Sequence, residues 1–148
     1  MYDRILVPLD GSPEAEEALP HARSLASRFR SELILVRVDV PIPNLPESRY
    51  PPQIESTAST YLKRVAEPMI LKQLRVRPVV VFGDPAHEIL SCVDRLRVDL
   101  IVLVAGDRVG GWRGRGVVAQ LSRRSHVPLL LVRGHPPDRA AAHLDPGS

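Results

Sequence analysis

The 148-residue chain predicts an α/β fold, an open five-stranded parallel sheet with helices on both faces. Three observations carry the prediction. Five short apolar runs alternate with four stretches of helical periodicity, in the order β-α-β-α-β-α-β-α-β. The runs lack the polar–apolar alternation of a sheet with one wet face, so both faces are buried, as in parallel sheets. Strands joined through helices pair in parallel by right-handed crossovers.

The elements follow in order. Arg4 to Leu9 (RILVPL) is a short strand whose Pro8 falls near its end, where a missing N–H is tolerated. Ser12 is placed to cap the next helix, with Pro13 as its first residue and Glu14, Glu16 and Glu17 at the positive end of its dipole. Ala15, Ala18, Leu19, Ala22, Leu25, Ala26 and Phe29 form its apolar face. Leu33 to Val38 (LILVRV) is a second buried strand. The proline-rich stretch 39–53 (DVPIPNLPESRYPPQ) is expected to be irregular, and either covers a site or is mobile. Ile54, Ala58, Tyr61, Leu62 and Val65 mark a second helix, which Pro68 is expected to kink or end. Val76 to Phe82 is a third strand, and Pro78 within it predicts a sheet edge. Gly83-Asp-Pro85 is a turn that opens a helix carrying Ala86, Ile89, Leu90 and Val93. Leu100 to Val104 is a continuous apolar strand, followed by a Gly-rich loop and a helix from about Val117 to Ser125. Pro128 to Arg133 (PLLLVR) is the last strand, and the tail 134–148 has little to bury and is expected to be disordered.

Composition narrows the function classes. An apolar fraction of 44% with 25% charged residues is that of an ordinary soluble domain, and the length is that of one domain. No run approaches the roughly 18 apolar residues of a membrane span. The N-terminal MYDRILVPLDGS is not a signal peptide, and a single Cys92 makes neither an internal disulfide nor a cysteine-based metal site, so a cytoplasmic location is expected. A formal net charge of +3 admits anionic ligands without calling for nucleic acid.

In open α/β sheets ligands sit outside the carboxyl ends of the strands, where the strand order reverses. If the first and fourth strands are neighbours, LDGSP and AGDRVGGWRGRG flank that point, which brings Asp10 beside the Gly-rich loop. An acidic residue at the end of a first strand usually faces this crevice. Its alternative role, helix capping, overlaps with Ser12.

The pieces ILVPLDGS, LILVRV, VVVFGDPAHEIL, VDLIVLVAG and VVAQLSRRSHVPLLLVR, in this order and spacing along residues 1–133, resemble a single-domain universal stress protein. The resemblance implies a doubly wound sheet of order 3-2-1-4-5, akin to the adenine-nucleotide α-hydrolases. It also implies a homodimer formed through the last strand, Leu129–Arg133, and, for many members, bound ATP with magnesium. In ATP-binding members the loop after strand four carries G-x2-G-x9-G-[ST], whose amides and hydroxyl hold phosphates. An aspartate after strand one meets the ribose or adenine, and a valine of strand two lies along the base. Asp10 and Val38 match those positions, Pro8 precedes the aspartate as in the family, and Gly11 and Ser12 complete that loop.

The loop after strand four departs from the pattern. Ala105 and Gly106 open it, but Val109 stands three residues on where a glycine belongs, and Gly110 follows one later. Counting back from Pro128 puts Arg115 and Gly116, or Gly116 and Val117 after a slip of one, at the final glycine and hydroxyl positions, and neither alignment supplies the hydroxyl. Stretch 104–118 carries five glycines but also Arg108, Arg113 and Arg115. Guanidinium groups bind phosphate bidentately and can replace the missing donors. The alternative is that these arginines only solvate a loop, in a chain with 20 Lys and Arg. Trp112 is a lid over a ligand or an interface anchor.

Other motifs carry less. Gly114, Gly116 and Ala119 spell a dinucleotide GxGxxA, but some eight residues past the strand end and without the acidic residue that should close the next strand. His21, His87 and His126 show no metal-ligand spacing. Ser12 has no evident base beside it and reads as a cap. Cys92, near Ile89 and Val93, reads as a buried, inert thiol. No catalytic residue emerges. The sequence thus predicts a nucleotide-binding stress-response or signalling module, with a dimeric protein-interaction module that has lost ATP binding as the alternative, and a slow ATP hydrolase last.

Overall fold

In a computed structural model of the protein, which describes residues 1–40, 43–105 and 116–134, five parallel strands form one sheet. They are β1 (Arg4–Leu9), β2 (Glu32–Asp39), β3 (Arg75–Phe82), β4 (Leu100–Ala105) and β5 (Leu129–Arg133). Their order is β3-β2-β1-β4-β5, as the family resemblance implies. Four helices connect them: α1 (Leu19–Phe29), α2 (Pro52–Leu71), α3 (Pro85–Arg95) and α4 (Val117–Arg124).

Strand alternation divides the core in two. Ile5, Val7, Leu9, Leu33, Leu35 and Val102 pack against Ala22 and Ala26 of α1 and Leu62 and Ala66 of α2. Leu6, Ile34, Val36, Ile101 and Leu103 face Ile89 and Val93 of α3 and Val117 and Leu121 of α4. Complete burial of such aliphatic side chains contributes roughly 1.5–3 kcal/mol each. Alanines on α1 let its backbone lie close to the strands. At the amino end of the sheet, Asp99 ties β1 to the start of β4: its carboxylate accepts from the N–H groups of Asp3 at 2.8 Å and Arg4 at 3.1 Å.

Three expectations need correction. The first helix does not run regularly from Ser12. Its opening turn is a 3₁₀ helix over Ala15–Ala18, and α1 begins at Leu19. Pro20 is the cause, because it has no N–H to reach the Glu16 carbonyl, which instead accepts from the Leu19 N–H. Pro68 does not end the second helix, which continues to Leu71. An interior proline costs about 3 kcal/mol, and here Pro68 is exposed while Ala66 and Met69 on either side are buried in the core, so packing offsets the lost bond. The 39–53 stretch is not wholly irregular: Glu47–Arg49 form a 3₁₀ turn and α2 already starts at Pro52. Residues 41 and 42 of it lie outside the described residues.

Elsewhere the expected elements stand. Pro78 is on the edge strand β3, opposite Leu35. Asp84 caps α3, accepting from the His87 N–H at 3.0 Å.

Candidate functional site

The strand order reverses between β1 and β4, which pair directly from Ile5↔Leu100 and Leu6↔Ile101. From β1 the chain turns toward the face that α1 and α2 cover, and from β4 toward the face of α3 and α4. The two connections diverge here, the arrangement at whose strand carboxyl ends open α/β sheets bind their ligands.

Alternation places several of the sequence-predicted residues on one side of the sheet. Pro8 continues the series begun by Leu6, Val38 that of Ile34 and Val36, and Ala105 that of Ile101 and Leu103. These belong to the face that α4 covers, and Val38 shares an apolar cluster with Val117 at the start of α4. Asp10 follows the last residue of β1, and its charge reaches Tyr61 on the other face. Gly116 precedes that helix with φ +71, a conformation that favours glycine. Among the described residues no side chain caps α4, whose N-cap is Gly116, and no acidic residue lies in its first turn, so the N–H groups and dipole of its amino end favour an anion. Gly106, Arg108, Gly110, Trp112, Arg113 and Arg115 lie outside the described residues.

The β1–α1 turn is internally braced. Asp10 Oδ1 accepts from the Ser12 N–H at 2.9 Å and from the Ser12 hydroxyl. Ser12 Oγ in turn accepts from the Ala15 N–H at 3.3 Å, bracing the turn ahead of the 3₁₀ segment, whose N-cap position is held by Glu14 and not by Ser12. Gly11 takes φ +88, which permits so tight a turn. Asp10 therefore organises its own loop, a function that motif matching alone does not reveal.

A second group of side chains, not foreseen in the sequence, lies on the opposite face. Arg37 rises from β2 in the series of Leu33 and Leu35. Its Nε donates to Asp39 at 3.0 Å, and its guanidinium lies 5.2 Å from the centre of the Tyr61 ring on α2. Arg64 approaches the same ring at 5.5 Å. The Tyr61 hydroxyl donates to Glu16 at 2.9 Å. Burial, then this hydrogen bond and the Glu16 charge, push the Tyr61 phenol well above its ordinary value. Two adjoining clefts of about 380 and 360 Å³ meet at Arg37 and Thr57. The available signal was Arg37 itself, a charge inside the apolar run LILVRV.

Cys92 is fully buried and burial raises its thiol pKa, although Arg95 Nη2 donates to the sulfur at 3.4 Å and acts the other way. His21 and His87 are exposed, and His126 faces Asp94 at 3.8 Å across a largely solvated pair. Among the described residues no group of His, Cys, Asp and Glu is arranged to hold a metal ion. No helix among them is long and apolar enough to cross a membrane.

A doubly wound sheet of order 3-2-1-4-5, with its crevice at the β1/β4 switch point, is a fold of the nucleotide-binding α/β class. Comparison with known proteins narrows the class: the universal stress protein family matches residues 1–133, and the chain belongs to that family. It is 27% identical over 141 residues to universal stress protein MJ0531 of Methanocaldococcus jannaschii, covering 90% of this chain and 83% of that one. It is 28% identical over 149 residues to universal stress protein YxiE of Bacillus subtilis, covering 90% and 100%. Three solved structures share the fold. A universal stress protein in complex with cAMP matches with TM-score 0.69 and 22% identity, over 90% of this chain and 98% of that one. The protein from Archaeoglobus fulgidus in complex with dAMP matches with TM-score 0.70 and 16% identity, over 89% and 98%. A family protein from Arabidopsis thaliana with AMP bound matches with TM-score 0.65 and 19% identity, over 93% and 98%.

Proposed function

We propose that this chain binds an adenine nucleotide, ATP with magnesium in the fullest form, at the β1/β4 crevice, as a cytoplasmic stress-response or signalling module. The observation that supports the reading is the position of Pro8, Val38 and Ala105 on the face where α4 begins, with Asp10 directly after β1 at the strand-order reversal. The relatives solved with cAMP, dAMP and AMP support it.

The residues fit such a ligand in parts. Val38 and Val36 offer an apolar wall for a base. Asp10, fixed by Ser12, is an acceptor for ribose hydroxyls. Gly11 and Ser12 keep that carboxylate at the crevice mouth. The uncapped amino end of α4, at Gly116 and Val117, favours phosphate through its N–H groups and dipole. Neither residue brings the hydroxyl that ATP-binding relatives use, so Arg113 and Arg115, with Gly106 and Gly110, are assigned the remaining phosphate contacts. Magnesium, when bound, supplies charge neutralisation on the phosphates. The assigned role is binding, with no catalytic residue, and a phosphate-release assay distinguishes it from hydrolysis.

Calorimetric titration of the nucleotide-stripped protein with Mg-ATP, AMP and cAMP tests the reading. Micromolar binding, lost in Asp10→Ala and weakened in Arg113→Ala/Arg115→Ala, supports it. No binding of any adenine nucleotide refutes it.

One observation favours the second reading, a dimeric interaction module. β5 is an edge strand that leaves Leu130 38% and Leu131 44% exposed, a surface fit for pairing with a second copy. Sedimentation of Leu131→Lys against the parent protein tests the dimer independently of nucleotide.

A further inference from the structure

The cleft between β2 and α2 has a chemistry of its own. Arg37, Thr57, Thr60, Tyr61 and Arg64 line a cavity of about 380 Å³ on the face of the sheet opposite the proposed nucleotide crevice. Both guanidinium groups are drawn to within 5.5 Å of one ring centre. Tyr61 is 8% exposed and its hydroxyl is committed to Glu16, so the ring is a fixed platform. Arg37 is held in place by Asp39 through Nε. A guanidinium has five N–H donors, so that bond leaves the Nη side of Arg37 to serve another acceptor. Among the described residues no carboxylate pairs with Arg64.

Two cations gathered at one ring repel each other; Asp39 offsets this on the Nε side of Arg37, and an anion between the Nη groups of Arg37 and Arg64 would offset the remainder. The donor set favours a particular anion. A planar carboxylate can be satisfied by one guanidinium in a bidentate pair. A tetrahedral oxyanion offers acceptors in several directions, matching two guanidiniums and the two threonine hydroxyls. We propose that this cleft binds a phosphate group, either inorganic phosphate or the phosphate of a small monoester, as a second anion site. The proposal does not rest on the nucleotide reading, because none of Arg37, Thr57, Thr60, Tyr61 and Arg64 is assigned to the nucleotide, although Arg37 adjoins Gly11 of the β1–α1 turn.

The test is a titration of the full chain, with arginine side chains labelled for Nε–Hε resonances, against inorganic phosphate, glycerol phosphate and acetate in separate series. Support is a saturable shift of the Arg37 and Arg64 resonances with either phosphate probe and not with acetate, together with about tenfold weaker binding in Arg64→Gln. Arg64 is exposed, so this variant keeps the fold. The tighter of the two phosphate probes identifies the source, free ion or monoester. The absence of a saturable shift, an equal response to acetate, or an Arg64→Gln variant that binds phosphate as well as the parent would each overturn the proposal.

Discussion

Gly11→Ala probes the link between the β1–α1 turn and the Arg37 cluster. At φ +88 an alanine sits in a region costing L-residues roughly 1–2 kcal/mol. Restriction of the unfolded chain returns about 0.4–1 kcal/mol. The added Cβ would lie 3.1 Å from Arg37 Nη1, so the guanidinium must give way by a few tenths of an ångström. Its bond to Asp39 and its place over Tyr61 resist that shift. Both members of the ion pair are partly exposed, at 20% and 18%, so weakening it costs about 0.5–1 kcal/mol after screening. The net expectation is a destabilisation of about 1–2 kcal/mol, or a Tm lower by roughly 2–8 °C for a chain of this size. Urea unfolding of the four members of a cycle, parent, Gly11→Ala, Arg37→Ala and the double variant, separates the contributions. The backbone cost persists in the Arg37→Ala background and the steric cost disappears. A neutral Gly11→Ala refutes the argument from φ, and strict additivity refutes the contact with Arg37.

Other expectations follow from single contacts. Because the folded state holds the Tyr61 phenol protonated above its ordinary pKa, the stability it contributes is complete below pH of about 10 and declines as pH rises beyond that, where only the unfolded chain ionises. Urea midpoints measured on either side of that pH check this, and Tyr61→Phe should show a shallower decline. Cys92 should react slowly with a disulfide reagent in the native protein and rapidly in urea, since it is both buried and raised in pKa; equal rates contradict its placement. Asp84→Ala removes the α3 cap and should cost about 0.5–2 kcal/mol in chemical denaturation, with Asp84→Asn recovering most of it.

The legible part of the fold was what hydrophobic burial dictates. RILVPL, LILVRV and LIVLV read as strands because two-sided burial leaves a continuous apolar run, and β1 matches its expected bounds, Arg4–Leu9. Pro78 marked its edge because only an edge strand tolerates the missing donor. The misreadings were local contests settled by tertiary structure. Pro20 reshaped a helix start that Ser12 and Pro13 had seemed to define, and buried neighbours carried α2 past Pro68. For the proposed nucleotide site, sequence position alone gives the places of Asp10 after β1, Val38 on β2 and Gly116 before α4. The Arg37, Tyr61 and Arg64 cluster was not legible, because its members come together only when β2 and α2 pack, with residues 24 to 27 positions apart in the chain.

Arg37 and Val38 are neighbours in sequence and belong to opposite sides of the sheet. Strand β2 is thus read two ways at once, like overlapping messages in shifted frames. Toward its carboxyl end, odd positions carry Arg37 and Asp39 of the charged cluster and even positions Val36 and Val38 of the apolar wall. Deleting or inserting one residue within β2 would exchange the messages, driving a guanidinium into the cluster around Val117 and a valine against the ring of Tyr61. Length changes that descendants of this sequence can survive in β2 must therefore come in twos, or fall outside the strand altogether.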